Sequence, residues 1–373
     1  MGRTNLKLLS FLHYQRFLGL TDLDFSDALQ IYWLNGTWIS IGTQILVVGV
    51  FVSSLVAALA ESLYNMDTKT QTGNTFDSAV ILTTSVSQLL ANLWFRSQQE
   101  LQVALVMRVS QLAQRLQFEP LIIPQAIWIY LIWLAVCLFY GGMVGHFGIS
   151  WLTDMQISHV LTLLGFVSRC ILANFQFTCY TGMVLVLQRL LQIDVQQLNR
   201  VVSTTFISMA DLAVCLRTHD EILFLAQREL VAVYGGVLFF LFMYQVMECV
   251  LIIYVSNLEG FSHSANDLVL ILGWLAPIVF YLILPLVVND VHNQANKTAK
   301  ILAKVPRTGT GLDRMIEKFL LKNLRQQPIL TAYGFFALDK STLFKLFTAI
   351  FTYMVILVQF KEMENTTKSI NKF

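Results

Sequence analysis

Hydrophobic positions gather in seven long runs, near 37–60, 76–97, 121–142, 158–187, 231–257, 266–289 and 341–360. Each is at least as long as the ~20 residues an α-helix needs to cross a bilayer's hydrocarbon core, so each predicts a membrane-spanning helix, the fourth being the longest. Pro277 and Pro285 predict a kink in the sixth. Gly235-Gly236, in the fifth, marks either a bend or a close contact with another element. Between the runs the pattern changes to amphipathic. Leu187, Leu191, Val195, Leu198 and Val202 recur every three to four residues after the fourth run, as do Leu212, Leu216, His219, Leu223, Ala226 and Leu230 before the fifth. Met315, Phe319, Leu320 and Leu324 do the same within 311–330. These stripes predict helices that continue beyond the membrane and need a packing partner.

The last run has its own pattern. Ser341, Lys345, Thr348, Thr352 and Gln359 fall on one helical face, and Leu343, Phe347, Ile350, Met354 and Leu357 on the opposite one. Lipid cannot satisfy a polar stripe along a spanning helix, so the stripe must meet protein or water. It is either a packing face between helices, where Ser and Thr are common, or the wall of a pore.

Composition agrees with a membrane protein: 56% of residues are hydrophobic, 13% are charged, and the mean hydropathy is +0.62. A soluble domain is about one quarter charged. The small net charge, +2, gives no reason to expect a nucleic-acid partner. The distribution of Lys and Arg is more informative. Eighteen of the 25 lie before the first run or after the second, fourth and sixth, and four lie on the other side. The basic side is cytoplasmic. The N-terminus is therefore expected inside and, with seven spans, the C-terminus outside. No secretory signal is evident: charges interrupt residues 1–36 throughout. Asn365 begins a glycosylation sequon in the expected outer tail, although the same pattern occurs at Asn35 and Asn296 on the inner side. None of the five cysteines falls in an outer loop, so no outer-loop disulfide is expected.

Thr352-Tyr353, five hydrophobic residues and then Gln359-Phe360 resemble the signature that ends insect gustatory receptors. The segment before it, Ala332 to Asp339, is similar to that family's lead-in to the same helix. The resemblance covers about 30 contiguous residues, and the expected inverted topology matches it. It implies an all-α protein of seven transmembrane helices, with cytoplasmic helical extensions forming an anchor domain where four subunits meet. It implies a gustatory receptor acting as a ligand-gated non-selective cation channel subunit in the plasma membrane of sensory neurons. The expected partners are a small-molecule tastant, membrane lipid, and either identical subunits in a homotetramer or related ones in a heterotetramer. Under this resemblance Thr348, Thr352, Ile356, Gln359 and Phe360 line the pore, with the constriction at Gln359 and Phe360. A ring of Phe would make a dry barrier, and a ring of Gln amides could replace hydration oxygens. Lys345 would either crowd the inner mouth or snorkel to the interface. The main sugar-receptor clade carries Glu directly after its Thr-Tyr pair, where this chain has Met354. That argues against a main-clade sugar receptor, leaves a fructose-type receptor open, and favours a bitter or contact-pheromone ligand by elimination.

Two ionisable residues lie deep in spans: Arg169 in the fourth and Glu248 in the fifth. A charge there costs about 3 kcal/mol on insertion scales, so each should face the protein interior. Their expected depths differ by about 6 Å, so they could pair, share a polar network or contact a ligand. The resemblance puts a ligand pocket in the outer part of the bundle, where Tyr140, His159, Arg169, Tyr244, Gln245, Glu248 and Trp274 are candidates, with Tyr281 nearby. Plain packing accounts for any one of the aromatic residues equally well.

The chain is expected to form one domain. It comprises an N-terminal segment (1–36), a ligand-binding bundle (37–289), an anchor segment (290–340), a pore helix (341–360) and an outer tail (361–373). A G-protein-coupled receptor would need the opposite topology, and its usual Asp/Glu-Arg-Tyr and Asn-Pro-x-x-Tyr motifs are missing. A transporter would show internal repeats. An enzyme would need clustered ligands or a nucleophile with its base. The six histidines have no metal spacing, and no catalytic residue, metal site or cofactor is expected.

Overall fold

The computed structural model describes residues 21–26, 31–34, 38–64, 71–116, 133–139, 157–204, 208–258, 265–306, 311–325 and 329–370, with a few single positions besides. Helices dominate. In chain order they are α1 (Trp38–Tyr64), α2 (Gln71–Ser97), α3 (Gln99–Arg115), α4 (Ile157–Ser203), α5 (Met209–Phe224), α6 (Leu230–Leu258), α7 (Ala265–Val288), α8 (Val291–Leu302), α9 (Gly311–Arg325) and α10 (Lys340–Ile370). Two small antiparallel hairpins accompany them, β1 (Leu23–Ser26) with β2 (Ile31–Leu34), and β3 (Thr331–Ala332) with β4 (Phe336–Ala337). Residues 133–139 are helical.

Helix α4 is the axis of the bundle. Its 47 residues make a rod about 70 Å long, more than twice the ~30 Å of a hydrocarbon core. Residues 169–184 are buried on nearly every face. Helices α1, α7 and α8 pack along α4, α2 packs chiefly on α6, and α10 docks on α6 and α7. Four helical runs among the described residues are long and apolar enough to cross a membrane: Val167–Ser203, Met209–Val250, Leu275–Leu302 and Lys340–Phe360. Pro277 and Pro285 both lie inside α7.

Helices α5 and α6 form one rod. Ser208 caps its start by accepting from the Asp211 amide, and a π-turn at Leu225–Glu229 joins the two helices. Such a turn adds one residue to a helical turn, which re-aims the face that follows. Leu225 and Ala226 are buried there, and the Arg228 guanidinium lies over the Phe224 ring.

There are two cores. The large one runs through the bundle, from Phe95 and Leu105 to Phe177, Leu241 and Leu286. The small one joins the far ends of α4 and α5 to α8 and α9 through Leu198, Leu212, Leu216, Leu302, Ile316 and Phe319. Leu198, Leu212, Leu216 and Phe319 of the amphipathic stripes meet in this second core, while Leu187, Leu191, Ala226 and Leu230 belong to the large one.

Two helices were not anticipated, and one runs longer than expected. The stretch after the second run, read in the sequence only for its basic residues, is helix α3. It buries Gln102, Leu105, Val106, Val109 and Leu112, and its arginines pair at a distance, Arg108 with Glu229 and Arg115 with Glu221. The stretch after the sixth run begins with helix α8, which buries Val291, Ala295 and Leu302. Helix α10 continues ten residues past Phe360, where no Pro or Gly interrupts it.

Candidate functional site

Helix α10 is docked on one side only. Leu343, Leu346, Ile350 and Leu357 pack against the bundle core, and Ile350 is buried. Leu343, Ile350 and Leu357 belong to the apolar face read from the sequence, Leu346 does not, and Phe347 of that face lines the groove on the free side instead. Ser341, Lys345, Thr348, Thr352, Ile356, Gln359 and Phe360 are all exposed in the single chain, and so is Tyr353. A shallow groove of about 460 Å³ runs along the free face between Phe344, Phe347, Thr348, Phe351, Thr352 and Val355.

The threonine hydroxyls on this face are already oriented. Thr348 Oγ1 donates to the Phe344 carbonyl at 2.9 Å, and Thr352 Oγ1 donates to the Thr348 carbonyl at 2.8 Å. With their protons directed back along the helix, both oxygens keep lone pairs available to an outside group, as a cation path would require. At the start of the helix Asp339 caps α10 by accepting from the Thr342 amide at 2.8 Å.

Inside the bundle a second set of polar groups converges from α2, α4 and α6. Arg169 and Glu248 are both buried. Arg169 Nη1 donates to Ser85 Oγ at 2.5 Å, and Arg169 Nε has no hydrogen-bond partner among the described residues. A direct Arg169–Glu248 ion pair is not formed, since no nitrogen–oxygen approach falls within 4.0 Å. The two are still close enough to act on one another electrostatically, and both act on Tyr244. The Tyr244 hydroxyl lies 3.3 Å from Cys170 Sγ. Gln245 Nε2 donates to Asn174 Oδ1 at 3.2 Å, while Gln245 Oε1 has no partner among the described residues. Gln88, Asn92 and Gln176 form a further amide cluster between α2 and α4. Buried polar groups are expensive unless satisfied, so partly satisfied ones are candidates for contact with a ligand or ordered water.

Arg169, Tyr244, Gln245 and Glu248 therefore share one interior region. Tyr281 is buried and stacks its ring on Phe177. His159 lies on α4, Trp274 on α7 and Asn365 on α10, but their side chains fall outside the described set, and Tyr140 lies outside the described residues. The sequence reading missed Ser85, Cys170 and Asn174. The signal for Asn174 was a polar side chain in an apolar run, one residue from Phe175 and four from Cys170.

A model of the 7tm chemosensory receptors matches residues 8–364. The chain belongs to that family. Over 373 residues, all of both chains, the receptor is 76% identical to gustatory and pheromone receptor 39a, isoform B, of Drosophila melanogaster. It is 42% identical to isoform C over 315 residues, 82% of each chain. Its fold matches the insect olfactory receptor OR5 from Machilis hrabei in complex with eugenol. That match has a TM-score of 0.68 and 9% identity, and it covers 95% of this receptor and 99% of that chain.

Proposed function

We propose that this chemosensory receptor is the subunit of a ligand-gated, non-selective cation channel whose pore wall is the free face of α10. The observation that carries the proposal is the orientation of that helix. Its apolar face is used against α6 and α7, and its polar stripe of Ser341, Lys345, Thr348, Thr352 and Gln359 is uncovered. In a membrane such a stripe requires water or a partner helix. Four copies arranged around an axis would supply both, with Gln359 and Phe360 at the outer constriction.

The seven hydrophobic runs are read as seven spans, and the distribution of Lys and Arg sets the N-terminus inside. This places the small core of α4, α5, α8 and α9 in the cytoplasm as the anchor where subunits meet. The ligand site is the region of Arg169, Tyr244, Gln245 and Glu248, with Tyr140, His159 and Trp274 as further candidates. The ligand is a small organic molecule of the bitter or contact-pheromone type. The names of the Drosophila relatives support this class, as does Met354 after the Thr-Tyr pair. The receptor acts in the plasma membrane of sensory neurons, alone or with related subunits.

The test is whole-cell current in cells expressing the chain, challenged with bitter compounds, sugars and cuticular hydrocarbons while G proteins are blocked. A cation current that persists under the block is the expected result. A response abolished by the block would overturn both the channel and the topology.

A further inference from the structure

The hairpin ahead of α10 sits directly on α6. A Cβ added at Gly235 would lie 2.8 Å from the Tyr333 nitrogen and 3.1 Å from its Cα. A Cβ added at Gly236 would lie 2.4 Å from the Trp94 ring. Side-chain carbons do not approach backbone that closely, so only glycine lets the hairpin rest there. Tyr333 itself holds a left-handed conformation, φ 50°, followed by Gly334 at φ 83°. Three aromatic pairs surround the seat: Trp94 with Tyr333 edge-on at 5.1 Å, Phe239 with Phe335 stacked at 4.4 Å, and Phe242 with Phe336 edge-on at 5.4 Å.

The hairpin is held by its own hydrogen bonds and by one from the end of α7. Phe335 N donates to the Ala332 carbonyl at 3.0 Å and Leu338 N to the Leu330 carbonyl at 2.8 Å. Asn289 Nδ2, at the end of α7, donates to the Leu338 carbonyl at 2.5 Å. The next residue, Asp339, is the cap of α10. At the other end of this chain of contacts, α6 carries Tyr244, Gln245 and Glu248, about 14 to 20 Å beyond Gly235 along the same helix.

We propose that Gly235 is a positioning residue for α10. It seats the Tyr333 backbone on α6, so a shift of α6 at the interior polar site is delivered through the hairpin to the first turn of α10. The proposal rests on the ligand-gated reading for its purpose, but not for the seating itself.

Hydrogen exchange on the purified full-length receptor in lipid nanodiscs tests the seating without any ligand. In Gly235→Ala, exchange should rise at least about five-fold both in 330–338 and in 340–346. Gly42→Ala, where an added Cβ meets nothing within 4 Å, should leave both segments unchanged. If Gly235→Ala fails to fold, Phe239→Ala removes one ring of the seat without adding bulk and should raise both segments in the same way. A rise confined to 330–338, or none, overturns the proposal. Single-channel recording on a Phe360→Ala background then separates gating from conduction. Gly235→Ala should change dwell times about ten-fold at unaltered unitary conductance, and unaltered dwell times would also overturn it. Absence of any unitary current from Phe360→Ala alone would count against the channel reading, while the exchange result would still decide the seating.

Discussion

His219 Nδ1 lies 3.1 Å from Asp194 Oδ2, with both side chains fully enclosed where α4 and α5 meet. Thr298 of α8 reaches the same ring nitrogen at 3.3 Å, and the Phe319 ring of α9 closes the group edge-on. Two polar contacts and one ring contact, all at His219, thus tie together the four helices of the small core. His219→Ala leaves the Asp194 carboxylate buried with no partner, a loss of about 1–3 kcal/mol. Asp194→Asn retains an acceptor for the ring and should cost less. Thermal unfolding of the detergent-solubilised receptor checks the order. Equal losses would mean that the contact contributes nothing beyond packing.

Gly236, beside the hairpin's seat on α6, gives a second prediction, with Gly42 as its control. An alanine at Gly236 would drive its Cβ into the Trp94 ring, and overpacking of this kind costs about 1–3 kcal/mol. Gly42, on α1, has open space around it, and its alanine variant should unfold at the parent temperature or slightly above. Comparable melting temperatures for the two variants would contradict the close approach of α2 to α6.

Arg169 and Glu248 give a third. Each is buried within the field of the other without an ion-pair contact. Removing one charge leaves the other uncompensated, so Arg169→Gln and Glu248→Gln should each lower the amount of folded receptor several-fold. The double variant should recover much of that loss, which makes the two effects non-additive. Additive losses in size-exclusion profiles of fluorescently tagged receptor would show that the charges do not interact.

The face of α10 was legible in the sequence because its polar residues repeat at the helical period. Ile350 and Leu343 turn inward and Thr348 and Thr352 outward, as that period requires. The helices that extend α4 and α5 were legible for the same reason. Helix α3 was not anticipated, because its stretch was read only for the basic residues it carries, Arg108 and Arg115 among them. The acids that pair with its arginines, Glu221 and Glu229, lie more than a hundred residues away. The role of Gly235 was equally hidden. The sequence marked a bend or a close contact there, and only the tertiary structure brings Tyr333 to it. Arg169 was recognised as facing the interior, but its partner proved to be Ser85, a residue with no sequence signal of its own.

The most direct test of the channel account is at the end of the polar stripe. Unliganded membrane current and its reversal potential would be measured in cells expressing the parent receptor, Gln359→Ala or Phe360→Ala at matched surface amounts. The account predicts that Phe360→Ala raises unliganded current about ten-fold or more by removing the dry barrier. It also predicts that Gln359→Ala shifts the reversal potential by altering ion preference. An unchanged closed state in Phe360→Ala, with an unchanged reversal potential in Gln359→Ala, would contradict the assignment of the free face of α10 as the ion path.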